Sequence, residues 1–264
     1  MIALEKIGAD AKVLVKEVGA FIKEQSGKFN IERIEEKGLN DLVSYVDKEA
    51  EQKLVNGLKK VLPEAGFITE EGTASFTNEV YKWIIDPLDG TTNFMHGLPV
   101  FSISVALLFE DELVLGILYE INKDELFYAH KGGGAWLNDQ KISVSSIAGL
   151  NRSLLATGFP YYNFDRLETY IEMLKHFMKH THGLRRMGSA AVDLAYVACG
   201  RFEGFFEYNL NPWDVAGGAF IVKEAGGTVT DFKGEDNFLF GKSIVAAGDV
   251  TPELINAIDS IWNR

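Results

Sequence analysis

The sequence is poor in cysteine, in basic charge and in long apolar runs, and each shortage excludes something. A single cysteine, Cys199, in 264 residues cannot form an internal disulfide, so a reducing cytoplasm is the expected setting. Cys199 follows the apolar helical run Ala195-Tyr196-Val197-Ala198, where a buried, inert thiol is expected. Lysine and arginine total 26 against 38 acidic residues, and the net charge of -12 repels nucleic acid and anionic membrane surfaces. No apolar stretch reaches the length of a membrane span, and the first segment carries Glu5, Asp10 and spaced lysines in place of an apolar leader. No linker rich in proline, serine or charge divides the chain, and there is no short repeat or low-complexity tract.

Catalytic signatures are missing too. Without a G-x-S-x-G elbow there is no sign of a Ser-His-Asp hydrolase. The five histidines gather around His176, His180 and His182. His176 and His180 stand four apart, which permits a metal pair, but the H-E-x-x-H order is absent and a solvated helix face is expected. The run Gly132-Gly133-Gly134 invites a phosphate-loop reading, but no Lys-Ser/Thr follows it and no helix begins there.

What remains is an ordinary globular composition, long enough to bury a full core. Leu4, Ile7, Ala11, Leu14, Val18, Phe21 and Ile22 recur at helical spacing, predicting an amphipathic helix that ends near Gly27. Leu54, Leu58 and Val61 repeat that period after Asp47, until Pro63 stops it. From Val80 to Phe109 the apolar runs become short and β-branched, and Asp111-Glu112 separates Phe101–Phe109 from Leu113–Tyr119 as a hairpin turn would. Beyond about residue 150 the rhythm becomes strand (Leu154–Thr157), helix (Phe164–Lys179), helix (Ser189–Cys199), strand (Gly204–Glu207) and helix (Trp213–Ala225). Such alternation predicts layered α/β organisation, with residues 1–150 and 151–264 as two fused lobes sharing a cleft.

The most informative stretch is Trp83-Ile84-Ile85-Asp86-Pro87-Leu88-Asp89-Gly90-Thr91-Thr92-Asn93-Phe94. An apolar strand delivers two carboxylates, three residues apart, into a turn. They repel each other unless solvated or bridged by cations, which predicts a hard divalent metal, magnesium fitting best. Gly90-Thr91-Thr92, placed where a helix can begin, offers free N–H groups to an anion. Metal plus anion cradle suggests phosphate chemistry. The phrase Leu88-Asp89-Gly90-Thr91 also suggests haloacid-dehalogenase-like phosphatases, but those need D-x-D-G-T. Here Leu88 stands in the nucleophile's place, which rejects a covalent aspartyl mechanism.

Five blocks in order carry a family likeness: Asp41 to Asp47, Phe67-Ile68-Thr69-Glu70-Glu71, the Asp86 stretch, Gly188-Ser189-Ala190-Ala191, and Pro212-Trp213-Asp214-Val215-Ala216-Gly217 with Glu224-Ala225-Gly226-Gly227 after it. Together they resemble the inositol monophosphatase family of magnesium-dependent, lithium-sensitive phosphatases. The resemblance implies an αβαβα five-layer sandwich of the sugar phosphatase type, and a homodimer. It implies that Asp86 bridges two Mg2+ ions, that Glu70 and the Leu88 carbonyl complete one site, and that Asp89 and Asp214 complete the other. Thr91 would orient the attacking water, with Asp47 accepting the threonine proton and Glu70 sharing in water activation. Asp89, Gly90, Thr91, Ser189, Ala190 and Glu207 would contact substrate. Glu207, seven residues before Asp214, matches the family's inositol-contacting glutamate and favours inositol 1-phosphate or a similar small polyol phosphate. Fructose 1,6-bisphosphate, phosphoadenosine phosphates and histidinol phosphate are the family's other substrates. The stretch from Arg185-Arg186 to Glu207 also resembles SuhB-type members, some of which are accessory factors for transcription. Glu71, Asn93, Phe94 and His96 are expected to serve structure, and Arg185-Arg186 to be a surface or subunit contact.

Overall fold

The computed structural model describes residues 3–28, 35–38, 41–74, 79–161 and 164–263. Helix α1 (Leu4–Ser26) buries Ile7, Ala11, Val15, Val18 and Ile22, the apolar side of the expected period. A short antiparallel pair, β1 (Glu35–Gly38) and β2 (Asp41–Val43), leads into α2 (Tyr45–Val61). Ser44 caps α2: its Oγ accepts from the Val46 N–H at 3.1 Å, while the Asp47 carboxylate accepts from the Ser44 N–H at 2.9 Å.

Seven strands then lie side by side in chain order: β3 (Gly66–Thr69), β4 (Tyr81–Asp89), β5 (Ser102–Phe109), β6 (Glu112–Glu120), β7 (Glu125–His130), β8 (Gly134–Leu137) and β9 (Gln140–Ile142). Only the β3–β4 pair is parallel. The hairpin turn is Glu110-Asp111, one residue earlier than expected, with Glu110 in the left-handed region at φ 54°. A one-and-a-half-turn helix, α3 (Thr91–Met95), leaves the end of β4.

The second sheet holds β10 (Leu154–Thr157), β11 (Gly183–Arg185), β12 (Gly204–Tyr208), β13 (Thr228–Thr230) and β14 (Ser243–Ala247), in the spatial order β11-β10-β12-β14-β13. Strand β10 runs parallel to both its neighbours. Four helices complete the chain: α4 (Leu167–His180), α5 (Ala190–Ala198), α6 (Pro212–Glu224) and α7 (Thr251–Trp262). Beyond residue 150, strands β11, β13 and β14 and helix α7 are additions to the expected elements.

Three apolar cores separate five layers. Helices α1 and α2 cover one face of the large sheet, packing Val15, Leu54 and Leu58 on Trp83, Ile85 and Leu115. On the other face Ile84, Ala106 and Leu118 meet α5 and α6, which also cover Phe205 and Ile244 of the second sheet. The far face of that sheet, with Phe206 and Val245, is closed by α4 and α7 through Phe177, Met173, Leu254 and Ile258. Adjacent residues such as Ile84 and Ile85, or Phe205 and Phe206, thus serve different cores, as the pleat requires. Because β4 is covered on both sides it reads as a continuous apolar run, not an alternating one. Helix α6 approaches β5 and β6 so closely that a Cβ on Gly116 would stand 2.6 Å from the Gly217 carbonyl oxygen. Among the described residues no helix is long and apolar enough to cross a membrane.

Candidate active site

The end of β4 builds the centre of the site. Its register with β5 shifts between Asp86, opposite Ser104, and Asp89, opposite Ser102: three steps on one strand face two on the other. Residues three apart on a regular strand point to opposite faces; the extra residue of this bulge turns Asp86 and Asp89 to the same side. Pro87, which has no N–H to give a ladder, sits inside the irregular step. Asp86 is buried and accepts from the Leu88 N–H at 3.0 Å, which folds the turn back on its own carboxylate. Gly90 then takes φ 96°, with Val100 and Gly188 carbonyl oxygens at 3.0 and 3.2 Å from where a Cβ would be. Only glycine fits that turn without strain.

Other elements bring the remaining carboxylates to this point. Glu70 follows the end of β3, the strand parallel to β4, and its carboxylate stands close enough to Asp86 to raise that residue's pKa. Asp214 sits in the first turn of α6 and accepts from the Asn211 N–H at 2.6 Å. Asp89 accepts from the Ser189 hydroxyl at 2.5 Å and the Ala191 N–H at 2.7 Å, so the start of α5 holds it in place. Ser189 is therefore committed first to Asp89 and to capping α5. Thr91 opens α3, and its hydroxyl lies 2.8 Å from Asp47 Oδ1 and 2.9 Å from the Leu88 carbonyl oxygen. Asp47 is fixed in turn by the Ser44 hydroxyl at 2.5 Å.

This crowding shows in the acidities. Burial, then the charges of Glu70, Asp89 and Asp214, push Asp86 well above the usual carboxylate range. Burial pushes Asp89 up to about 6, against the bonds from Ser189 and the α5 amides, and pushes Asp214 up to about 7. Asp47 is raised by burial despite its bonds to Ser44 and Thr91. Asp89 and Asp214 keep part of their surface open to the cleft, which softens the burial cost. A cluster of oxygen donors that cannot all ionise without a counter-charge fits a hard cation. Among the described residues no three His, Cys, Asp or Glu side chains close into a ready-made cage. Magnesium suits such an open arrangement, since it keeps several waters and takes only one or two carboxylates at a time.

Glu207, near the end of β12, stands at the edge of the same cleft; burial and the Asp214 charge push it up to about 8. So Asp47, Glu70, Asp86, Leu88, Asp89, Gly90, Thr91, Ser189, Ala190, Glu207 and Asp214 all fall in one cluster at strand ends and helix starts. Carboxyl ends of parallel strands are where open α/β sheets bind ligands.

A five-layered α/β sandwich with an acidic cleft at its strand ends is the architecture of the sugar phosphatase type. The profile of the inositol monophosphatase family matches residues 4–263. A putative Nus factor SuhB of Neisseria meningitidis serogroup B is 45% identical over 233 residues, 88% of this chain and 89% of that protein. An inositol-1-monophosphatase of Rhizobium meliloti is 44% identical over 214 residues, 81% of this chain and 80% of that one. The crystal structure of the extragenic suppressor protein suhB from Bartonella henselae superposes with a TM-score of 0.90 at 38% identity, covering 95% of this chain and 97% of that one. The chain belongs to the inositol monophosphatase family.

Several side chains at the site lie outside the motifs. Glu51, fully buried on α2, accepts from the Glu71 N–H at 2.7 Å and from the Thr73 N–H and hydroxyl at 2.9 and 2.7 Å, so it anchors the loop that carries Glu70. A glutamate on the apolar face of an amphipathic helix was the available signal. Asp193 is buried on α5 with its Oδ1 unbonded, and the charges of Glu207 and Asp89 add to burial in raising it. Arg186 is exposed, as a surface role requires, and also works inward: its guanidinium stacks over the exposed rings of Phe159 and Tyr161 at 5.7 and 5.2 Å, and its charge reaches Asp89 and Glu207. Arg185 stays exposed.

Asn93 is buried and donates to the Val100 and Met187 carbonyls, Phe94 packs edge-on against Phe101, the Glu71 N–H serves Glu51, and His96 is exposed. The triple glycine does cradle an anion, but an internal one: Gly132 and Gly134 donate to the Glu224 carboxylate at 3.1 and 3.0 Å. His176 and His180 stack at 4.3 Å on an outer turn of α4. Cys199 is partly buried, and burial pushes its thiol up, as an inert cysteine requires.

Proposed function

We propose that the protein is a magnesium-dependent phosphomonoesterase that hydrolyses inositol 1-phosphate or a similar small polyol phosphate. The observation that carries this reading is the Asp86 cluster itself: Glu70, Asp89 and Asp214 crowd a buried carboxylate, and the Thr91–Asp47 pair stands beside it. Glu70, Asp86 and the Leu88 carbonyl would hold one Mg2+, and Asp86, Asp89 and Asp214 a second. When bound, magnesium neutralises phosphate charge and lowers the pKa of water. Residues 1–150 and 151–264 act as two lobes around this cleft.

The chain's own groups do the rest. The first N–H groups of a helix have no partners inside it, so Gly90, Thr91 and Thr92 can donate to phosphate oxygens. With its proton turned to Asp47, the Thr91 hydroxyl presents lone pairs that orient a water toward phosphorus. Glu70 shares in taking that water's proton. The water oxygen bonds to phosphorus, the bond to the ester oxygen breaks, and a proton passes to the departing polyol. Asp89 and Glu207 accept from the polyol hydroxyls. No side chain is phosphorylated on the way.

A phosphate-release panel tests this: inositol 1-phosphate, fructose 1,6-bisphosphate, phosphoadenosine phosphate, histidinol phosphate and p-nitrophenyl phosphate, each with and without magnesium. The highest kcat/KM is expected on inositol 1-phosphate, with loss in chelator and inhibition by lithium. A clear preference for a bisphosphate would overturn the substrate assignment.

The likeness to proteins named Nus factor SuhB favours a second role, as an accessory factor binding a transcription partner from a cytoplasmic homodimer. If that role dominates, Asp86→Asn and Asp214→Asn will complement a deletion strain while Arg185→Ala with Arg186→Ala will not. The phosphatase reading expects the reverse.

A further inference from the structure

Strands β10 and β12 run parallel and in register: Leu155 pairs with Gly204, Ala156 with Phe205 and Thr157 with Phe206. The ladder ends there, and continuing its register one step past β10 sets Gly158 opposite Glu207, at the carboxyl ends of the two strands. Side chains at paired positions share a face, so residue 158 and Glu207 compete for one space. The overlap is nearly complete. A Cβ built on Gly158 would stand 1.9 Å from Glu207 Oε1, 2.0 Å from Cδ and 2.2 Å from Oε2. Backbone conformation does not explain the glycine, because Gly158 is not among the residues with positive φ. What requires it is the carboxylate lying across it.

The strand beneath cannot easily yield. The Thr157 hydroxyl is 2.7 Å from the Tyr170 hydroxyl in the buried layer under α4, and Thr157 itself is buried. A methyl group at 158 would therefore move the carboxylate, whose atoms must retreat from about 2 Å to beyond 3.0 Å.

We propose that Gly158 is the seat of Glu207, a specificity-determining position where the lack of a side chain sets the place of the carboxylate that receives the substrate's hydroxyls. The inference rests on the reading of Glu207 as a hydroxyl acceptor. The atoms nearest a side chain at 158 all belong to Glu207, so Gly158 acts through Glu207 and is a positioning residue.

The test compares kcat and KM for the wild type, Gly158→Ala, Glu207→Gln and the double variant, on inositol 1-phosphate and on p-nitrophenyl phosphate at saturating magnesium, with thermal unfolding followed alongside. Gly158→Ala is expected to lose about tenfold or more in kcat/KM on inositol 1-phosphate, chiefly through KM, and to change the generic ester by less than about twofold. The double variant should be no worse than the poorer single, since both remove one interaction. Pairing Gly158→Ala with Glu207→Asp, which withdraws the carboxylate by one methylene, should recover part of the loss. If Gly158→Ala keeps full activity on both substrates while Glu207→Gln loses only the inositol ester, the seat is overturned and the reading of Glu207 stands. Equal losses on both substrates with Glu207→Gln would overturn that reading and the seat with it. A Gly158→Ala variant that unfolds, or fails equally on both esters, and that Glu207→Asp does not restore, would overturn the seat alone.

Discussion

Glu51 shows how much of the chemistry depends on a residue with none of its own. Its carboxylate takes three donors from the loop behind Glu70 and so ties that loop to α2. Glu51→Gln replaces one acceptor oxygen with a donor that faces an N–H, a change expected to cost about 1–3 kcal/mol. Denaturant unfolding should show that loss, and a magnesium titration of activity should shift to higher concentration because Glu70 is no longer held against Asp86. Unchanged magnesium dependence would mean that the loop holds itself. Ser44 makes the complementary case on the other side of the site. Ser44→Ala removes the α2 cap and the 2.5 Å bond to Asp47, with an expected cost of about 1 kcal/mol. Its kinetic signature should be a fall in kcat with magnesium affinity kept, since in the proposed mechanism Asp47 acts through the Thr91 hydroxyl it accepts from and is not one of the metal ligands.

At the scale of elements, the decisive feature is the irregular end of β4. A regular strand would send Asp86 and Asp89 to opposite faces; the bulge at Pro87-Leu88 sets them side by side, and the left-handed Gly90 turns the chain into α3. Gly90→Ala should therefore lose about 1 kcal/mol or more of stability from the positive φ alone. It should lose activity out of proportion to that, because the 3.0 Å approach to Val100 displaces the start of α3 and Thr91 with it. A variant with full kcat would separate the turn from catalysis. Much of this was legible in the sequence, because strand ends, caps and helix starts are written locally: Asp86-Pro87-Leu88-Asp89-Gly90 and Pro212-Trp213-Asp214 announce their own geometry. The roles of Glu51, Arg186 and Gly158 were not legible, although Glu51 stood out on an apolar helix face and Arg186 in a basic pair. Each owes its role to a neighbour 20 to 49 positions away, Glu71, Phe159 at 27, or Glu207, that only the folded layers bring near.

The whole molecule puts a concentrated negative charge between two sheets, and its stability must answer to pH and to metal together. Asp89 and Asp214 stand at about 6 and about 7, above the 3.8 of a free aspartate, so between those values the folded protein holds protons that the unfolded chain has released. Their contribution is fully present below pH 3.8 and is lost as pH rises through 6 and 7, the opposite of a salt-bridged carboxylate. Thermal unfolding of metal-free protein should show this part of the stability falling from pH 5 to pH 8, on the order of the shifts above, and magnesium should stabilise most at the alkaline end. A magnesium effect that is equal at both ends would place the cation elsewhere. Layered α/β organisation was readable from the alternating pattern and the five-layer order only from the family resemblance, while the interleaving of α5 and α6 between the sheets was not readable from pattern, since helices that are apolar all round give no direction to their burial. The central claim is that Asp86 gathers a catalytic magnesium site. It is tested most directly by phosphate release from inositol 1-phosphate by wild type and by Asp86→Asn, with magnesium and in excess chelator. The account predicts a folded variant with about a thousandfold less activity or worse, and a wild type that stops when the metal is removed. Full release by Asp86→Asn, or by wild type in chelator, would contradict it.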